Sequence, residues 1–198
     1  MERIMGMSAL DHTIYDKLIS YELPAWDRLP NLLRSRELQN FLQNELGFLS
    51  PGERILTGHM LQNYLKWGLL PSIEGRRYQR EHVARCICFC LLKSVINLEQ
   101  ICSGIELQKD LMGTQQAYET LRSCLRQAFY EIFIPLKTQG MNEVITYENF
   151  TVKPDNIAVS AVCYALGWQI FTRLVLQQKG VAALLSEIKE ERSRTVML

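Results

Sequence analysis

The sequence has few of the features that mark common enzymes and metalloproteins. Only 3 of its 198 residues are histidine, and they lie too far apart in the chain to suggest a ligand set. No GxSxG, P-loop, HExxH or GxGxxG motif is present. The adjacent carboxylates Glu190 and Glu191 belong to a charged stretch, where we expect solvation. We therefore expect a protein that is not an enzyme and that uses no cofactor and no metal.

The sequence also shows no clear membrane-spanning segment. Its most apolar window, residues 157–176, is interrupted by Gly167, Gln169 and Arg173, which favours a buried helix over a membrane span. The first residues lack a basic region followed by an apolar core, so no secretory signal is expected. We predict a cytoplasmic protein with no membrane partner, in keeping with its 47% hydrophobic and 22% charged residues.

Six cysteines are present, but none forms a CxxC knuckle of the kind that holds zinc. In the cytosol they are expected to be reduced thiols. Cys86, Cys88 and Cys90 alternate within a helical run, so Cys86 and Cys90 share one face and Cys88 points elsewhere. We expect these thiols to be small core residues, and a metal or redox role remains the alternative.

The most informative stretch runs from residue 57 to residue 101. Thr57 is a good N-cap, and apolar residues at helical spacing follow it. Gly68 can end this short helix by adopting a positive φ. A tight basic segment with Gly75 at its tip comes next, then a second helix from about Arg80. Asn97 can cap a third helix, which Ser103 and Gly104 are expected to end.

Helix, small basic hairpin, helix, turn and helix is the order of parts in a winged helix-turn-helix. The stretch resembles the DNA-binding domain of the MerR-type regulators. The residues that carry the resemblance are Tyr64, Gly68-Leu69-Leu70-Pro71, Arg77-Tyr78, Glu81-His82-Val83 and Leu98-Glu99-Gln100-Ile101. With Asn63-Tyr64-Leu65-Lys66-Trp67-Gly68, it resembles still more an uncharacterised bacterial family, a domain of unknown function with a MerR-like first half.

The resemblance implies a mainly α fold, in which a MerR-like winged helix-turn-helix precedes a C-terminal helical domain and the wing is at most a small β-hairpin. We assign residues 1–30 to an N-terminal arm and connector, 31–105 to the winged helix and 106–198 to a dimerisation or effector domain. Helix-turn-helix proteins gain affinity by presenting two recognition helices. A homodimer is therefore expected, with a monomeric helical bundle as the alternative.

The charge of the chain is concentrated on the same stretch. Residues 51–97 contain seven basic and three acidic side chains, although the whole chain has a net charge of only +1. Such an excess suits phosphate contacts with double-stranded DNA. A solvated helix face and a solvated turn are the alternatives. The expected DNA-binding residues are His59, Gln62, Asn63 and Lys66 on the recognition helix, Arg76, Arg77 and Tyr78 on the wing, and Arg80 and Arg85 as phosphate clamps.

The other elements are expected to be helical. Asn31 can cap a helix that runs to about Leu46, and longer helices follow from Thr114 to about Lys137 and from Asp155 for about two dozen residues. A loop over residues 138–154 and a last short helix over residues 181–191 complete the prediction. The expected function is sequence-specific regulation of transcription, with an unidentified small-molecule effector left open. The alternatives are a protein–protein interaction module that does not bind DNA, and a small-molecule or thiol sensor.

Overall fold

A computed structural model describes residue 14, residues 16–138 and residues 154–177. This part of the chain is mainly helical, as expected, and contains no β-strand. The expected loop after Thr138 and the expected helix over residues 181–191 lie outside the described residues. The main helices are α1 (Ser35–Leu46), α2 (Gly58–Lys66), α3 (Arg80–Leu92), α4 (Leu98–Met112), α5 (Thr114–Thr138) and α6 (Ile157–Gln177).

Helix α1 begins later than the sequence indicated. Its first residue is Ser35, not one that follows Asn31, because Leu32 adopts a positive φ of 59° that cannot continue into a helix. Glu37 in the first turn stabilises this start, since its carboxylate accepts a hydrogen bond of 2.7 Å from the Arg34 amide. The helix then buries every fourth residue against the core, namely Leu38, Leu42 and Leu46.

Helix α2 confirms the local prediction. The Thr57 hydroxyl accepts a hydrogen bond of 3.2 Å from the Met60 amide, which caps the first turn. Leu61 and Tyr64 form its buried side. Gly68 has a φ of +70°, and the chain then turns back so that the Leu69 amide bonds the Tyr64 carbonyl at 2.9 Å. One face of α2 is therefore fixed to the core and the opposite face is left to solvent.

Helix α3 forms the centre of the molecule. Eight consecutive residues, 82–89, are buried, although the run includes a histidine and an arginine. On one side α3 packs against α1 and α2, where the ring centroids of Tyr64 and Phe89 lie 5.0 Å apart. On its other side it contacts α4 and α6. Helix α3 is therefore buried all round and lies between two layers of helices. We call α1 and α2 the first layer, and α4, α5 and α6 the second layer.

Helix α4 corrects an expectation. Asn97 caps it as predicted, since its side-chain oxygen accepts from the Gln100 amide at 2.9 Å. The helix was expected to end at Ser103 and Gly104, but it continues to Met112. The Ser103 hydroxyl bonds the Glu99 carbonyl one turn back at 3.0 Å. That bond keeps this polar side chain compatible with a helix.

Helices α5 and α6 pack side by side in the same direction, since early residues of α5 contact early residues of α6, as in Cys124 with Ser160 and Ile132 with Gly167. Gly167 of α6 approaches α5 so closely that an added Cβ would lie 2.5 Å from Cδ1 of Ile132. Residues 154–177 are the one stretch of the described chain with the length and hydropathy to cross a membrane, which is weak evidence for a span. Its residues Cys163, Leu166 and Ile170 are buried within the protein. The most apolar window of this stretch is 39% buried in the protein.

Candidate nucleic-acid interface

A tight basic turn lies between α2 and α3. The Arg77 amide donates to the Glu74 carbonyl at 3.0 Å, and the two residues between them, Gly75 and Arg76, have positive φ values of 56° and 57°. Two successive positive φ values are typical of a type I′ turn. The predicted hairpin is therefore reduced to a single isolated bridge between Glu74 and Arg77.

The base of this turn is joined to the start of α1. Tyr78 and Leu33 exchange two backbone hydrogen bonds, of 2.7 Å from the Tyr78 amide and 2.9 Å from the Leu33 amide. The Arg77 guanidinium also donates to the Leu32 carbonyl at 3.0 Å. The turn is thus held by main-chain contacts on one side, while Arg76 at its tip remains exposed.

His82 holds the other side of the turn. Its side chain is buried, and its Nδ1 accepts a hydrogen bond of 3.1 Å from the Gln79 amide. Because Nδ1 is an acceptor, Nε2 carries the proton and donates to the Pro71 carbonyl at 3.2 Å. His82 is therefore an internal link between α3 and the segment that leads into the turn, with no side exposed for a phosphate contact.

Four of the expected DNA-binding side chains lie on the surface. Among the described residues, none forms a hydrogen bond or ion pair with the side chains of His59, Gln62, Lys66 or Arg76, and all four are exposed. Asn63 is half-buried on the same helix. Amides can donate to and accept from base edges, and cations can bind phosphate oxygens.

Trp67, the residue after α2, lies at the surface, where 58% of it is accessible to solvent. Tyr64, one turn earlier, is packed in the core and only 3% of it is exposed. Lys66 and Trp67 are therefore neighbouring exposed residues at the C-terminal end of α2.

Three of the expected contact residues are placed differently. Tyr78 is buried, with its ring 5.9 Å from that of His82, so its side chain is not at the surface. Arg80 is half-buried, and its Nε donates to the Leu29 carbonyl at 3.2 Å, while its guanidinium lies 3.8 Å from Asp27. It clamps the N-terminal connector, an interaction that the sequence did not indicate.

Arg85 is also buried, with 8% of it exposed. Its Nη2 bonds Glu106 at 2.5 Å and Glu81 at 3.3 Å, and these carboxylates hold the pKa of Arg85 above its ordinary value against the opposing effect of burial. The same contact with Arg85 lowers the pKa of Glu106. Arg85 is therefore a fixed cation of the interior and not the exposed phosphate clamp that we expected.

Asn31 has a role that the sequence did not indicate. Its side-chain oxygen accepts a hydrogen bond of 3.0 Å from the Arg80 amide, which is the first residue of α3. It satisfies one of the unpaired amides at the start of a helix 49 residues further along the chain. The capping character of asparagine was visible in the sequence, but the identity of the distant helix was not.

The cysteines of α3 lie in two environments, as their alternation predicted. Cys86 lies towards Tyr64 and Tyr78, whereas Cys88 faces α4 and α6. Burial raises the pKa of the Cys88 thiol to about 12 and that of Cys86 well above its ordinary value. These thiols are protonated at neutral pH, which suits core residues. No group of three potential metal ligands occurs among the described residues.

Comparison with known proteins gives one match. A family model described as a domain of unknown function, DUF1836, matches residues 24–127, which is more than half of the 198 residues. The matched region begins in the connector and ends within α5, so it includes α2, the basic turn and α3. No curated protein and no solved structure matches the chain.

Proposed function

The chain belongs to the DUF1836 family, whose function is unknown, and we propose that it is a sequence-specific DNA-binding regulator of transcription. The observation that carries the proposal is the outer face of α2. That face presents His59, Gln62 and Lys66, all exposed and without a partner among the described residues. An anchored helix with an uncommitted polar face is what reading of the major groove requires.

The order of elements supports a MerR-like winged helix-turn-helix. In this assignment α1 is the first helix, α2 is the recognition helix and the turn at Gly75 and Arg76 is a short wing. The connection from α1 to α2 is long, since it runs over residues 47–57 and contains a 3-10 turn. The exposed arginines of the wing would contact the DNA backbone, and the seven basic against three acidic residues of 51–97 supply the local charge.

We further propose that the regulator acts as a homodimer in the cytoplasm. Large apolar side chains of the second layer are exposed, among them Leu111 of α4, Tyr130 of α5 and Leu176 of α6, which are 57%, 52% and 73% accessible. A second subunit would cover such side chains and place a second α2 on the next half-site. Light scattering of the purified chain over a range of concentrations tests this part of the proposal.

The decisive experiment is selection of bound DNA from a random pool, followed by affinity measurements over a series of salt concentrations. We expect an enriched site with two related halves, and binding that weakens steeply as the salt concentration rises. Lys66→Ala and Arg76→Glu should each weaken binding and reduce the salt slope by about 1. Gln62→Ala should change which base is preferred at one position, because an amide reads a base edge.

Arg126→Glu is the matched control for Arg76→Glu. Arg126 is an exposed cation of α5, with 65% of its side chain accessible, and lies 2.6 Å from Glu22. The reversal changes the charge equally but falls in the other layer, so its effect on affinity should be much smaller. Equal losses would indicate non-specific attraction. The absence of an enriched site would reject the regulator in favour of a protein–protein interaction module.

A further inference from the structure

An apolar cavity of about 200 Å³ lies between α3, α4, α5 and α6. It belongs to the second layer, on the side of α3 that faces away from α2. Its walls are almost entirely hydrocarbon, and the main contributors are Cys88, Ile101, Ile105, Leu121, Val159 and Val162. The cavity is partly open to solvent at its rim, so a small molecule can enter it. The volume somewhat exceeds the roughly 150 Å³ of an apolar cavity that can hold benzene.

Two residues that line the cavity each have a buried polar atom with no hydrogen-bond partner in the described part of the chain. These atoms are Nε of Arg85 and Oε1 of Gln108. The rest of each side chain is fixed: Arg85 by its carboxylates, and Gln108 by a hydrogen bond of 3.0 Å from Nε2 to the Asp155 carbonyl. Only 8% of each residue is exposed. A buried unpaired donor and acceptor are unfavourable, and native proteins contain few of them.

The charges at the edge of the cavity are balanced. Arg85 and Lys109 face Glu81 and Glu106, with nitrogen–oxygen distances from 2.5 to 3.9 Å. This group has two positive and two negative members, so no net charge remains to attract an ion. Burial of an additional unpaired charge beside them would be costly. The cavity therefore favours an uncharged occupant.

We propose that this cavity is a binding site for a neutral, mainly apolar small molecule of about the size of one substituted ring, which accepts a hydrogen bond from Arg85 and donates one to Gln108. A hydroxyl or an amide group meets both requirements, because each can donate and accept. The site does not depend on the proposed DNA binding, since it uses residues of the second layer and the inner side of α3.

The test uses phenol as a probe, with toluene and benzoate for comparison. Each is titrated into the isotopically labelled full chain while amide NMR signals are recorded. We expect saturable binding of phenol at one site, with the largest shifts in α4 and α6. Toluene should bind about 2- to 10-fold more weakly, as expected for the loss of hydrogen bonds. Benzoate should show no saturable binding, because its charge would remain unpaired.

Two variants and one control test whether phenol binds in the cavity. Gly104 lies at the exposed rim of the cavity, and an added Cβ there meets no atom within 4 Å, so Gly104→Leu can cover the entrance without a clash while it improves the helix. It should abolish the binding of both phenol and toluene. Gly104→Ala is the matched control and should bind phenol as the native chain does. Gln108→Met removes the acceptor and should reduce the preference for phenol over toluene.

The proposal is overturned by absence of saturable phenol binding to the native chain, which would mean that the cavity holds only water. Phenol binding that Gly104→Leu leaves unchanged would overturn it as well. Either result leaves DNA binding untouched, because that is measured by selection and salt dependence. Conversely, loss of the DNA proposal would not alter the phenol titration.

Discussion

His82 shows how one side chain can determine the position of a functional segment. Its two ring nitrogens join the Gln79 amide at the start of α3 to the Pro71 carbonyl before the basic turn. Because the acceptor at Nδ1 fixes the proton on Nε2, the ring works as a neutral link. The buried His82 side chain therefore helps to fix the position of the turn that exposes Arg76.

His82→Leu should therefore destabilise the protein by about 1–3 kcal/mol, since it leaves a buried amide and a buried carbonyl unpaired. Urea denaturation measures the change. The matched control is His59→Leu, a change on the exposed face of α2 that should stay within about 0.5 kcal/mol. Hydrogen exchange at the Arg77 amide should also accelerate in His82→Leu. Equal stability of the two variants would show that the link contributes nothing.

Individual elements show which features the sequence could predict. The caps at Thr57 and Asn97 and the turn at Gly75 were predicted correctly, because they depend on residues within three positions of each other. The burial of Arg85 was not predictable, because its partner Glu106 lies 21 residues away on another helix. The continuation of α4 past Gly104 was missed because packing outweighs the weak local preference of glycine.

The close approach of α5 and α6 depends on one glycine. Gly167→Val would place a branched side chain against Ile132, from which even a single added carbon is separated by only 2.5 Å. We expect a loss of stability of about 1–3 kcal/mol from overpacking. Ala165→Val is the matched control, because Ala165 lies on the exposed face of the same helix. If thermal denaturation shows equal changes in both variants, the spacing of the two helices does not require a glycine.

For the whole molecule, the thiols of the core predict how stability depends on pH. Burial raises the pKa of the thiols of Cys88 and Cys90 to about 12, and those of Cys86 and Cys163 well above their ordinary value. The unfolded chain loses these protons near pH 8.5, whereas the folded chain keeps them. Unfolding therefore releases protons above that pH. The free energy of unfolding must then fall as the pH rises towards 12.

The expected loss is about 1 kcal/mol for each of these thiols by pH 9.5. Urea denaturation at pH 7.0, 8.5 and 9.5 in the presence of a reductant measures it. Cys88→Ala lowers the starting stability but removes one titrating group, so its stability should depend less on pH. A free energy of unfolding that stays constant from pH 7 to 9.5 would contradict the assignment of these thiols to the core.

The proposed function could be inferred from the sequence only in outline. The order and spacing of the residues from Thr57 to Ile101 indicated a short helix with a polar face and a basic turn. In the structure Lys66 is exposed on that helix and Arg76 is exposed on that turn. The sequence could not distinguish these cations from Arg80 and Arg85, which the fold uses for its own contacts. Whether an arginine is exposed depends on partners that are distant in the sequence. Composition and local charge therefore overestimate the number of basic side chains that remain available for the proposed DNA contact.

The exposed indole beside Lys66 has a practical consequence. The chain has three tryptophans; Trp26 lies 5.8 Å from Tyr118 and Trp168 lies 5.5 Å from Phe171, both partly buried, while Trp67 is 58% accessible. Collisional quenching of fluorescence by iodide should therefore act mainly on Trp67. Bound duplex would shield that ring, so the native chain carries its own optical signal for occupancy of the proposed surface, and no dye has to be attached.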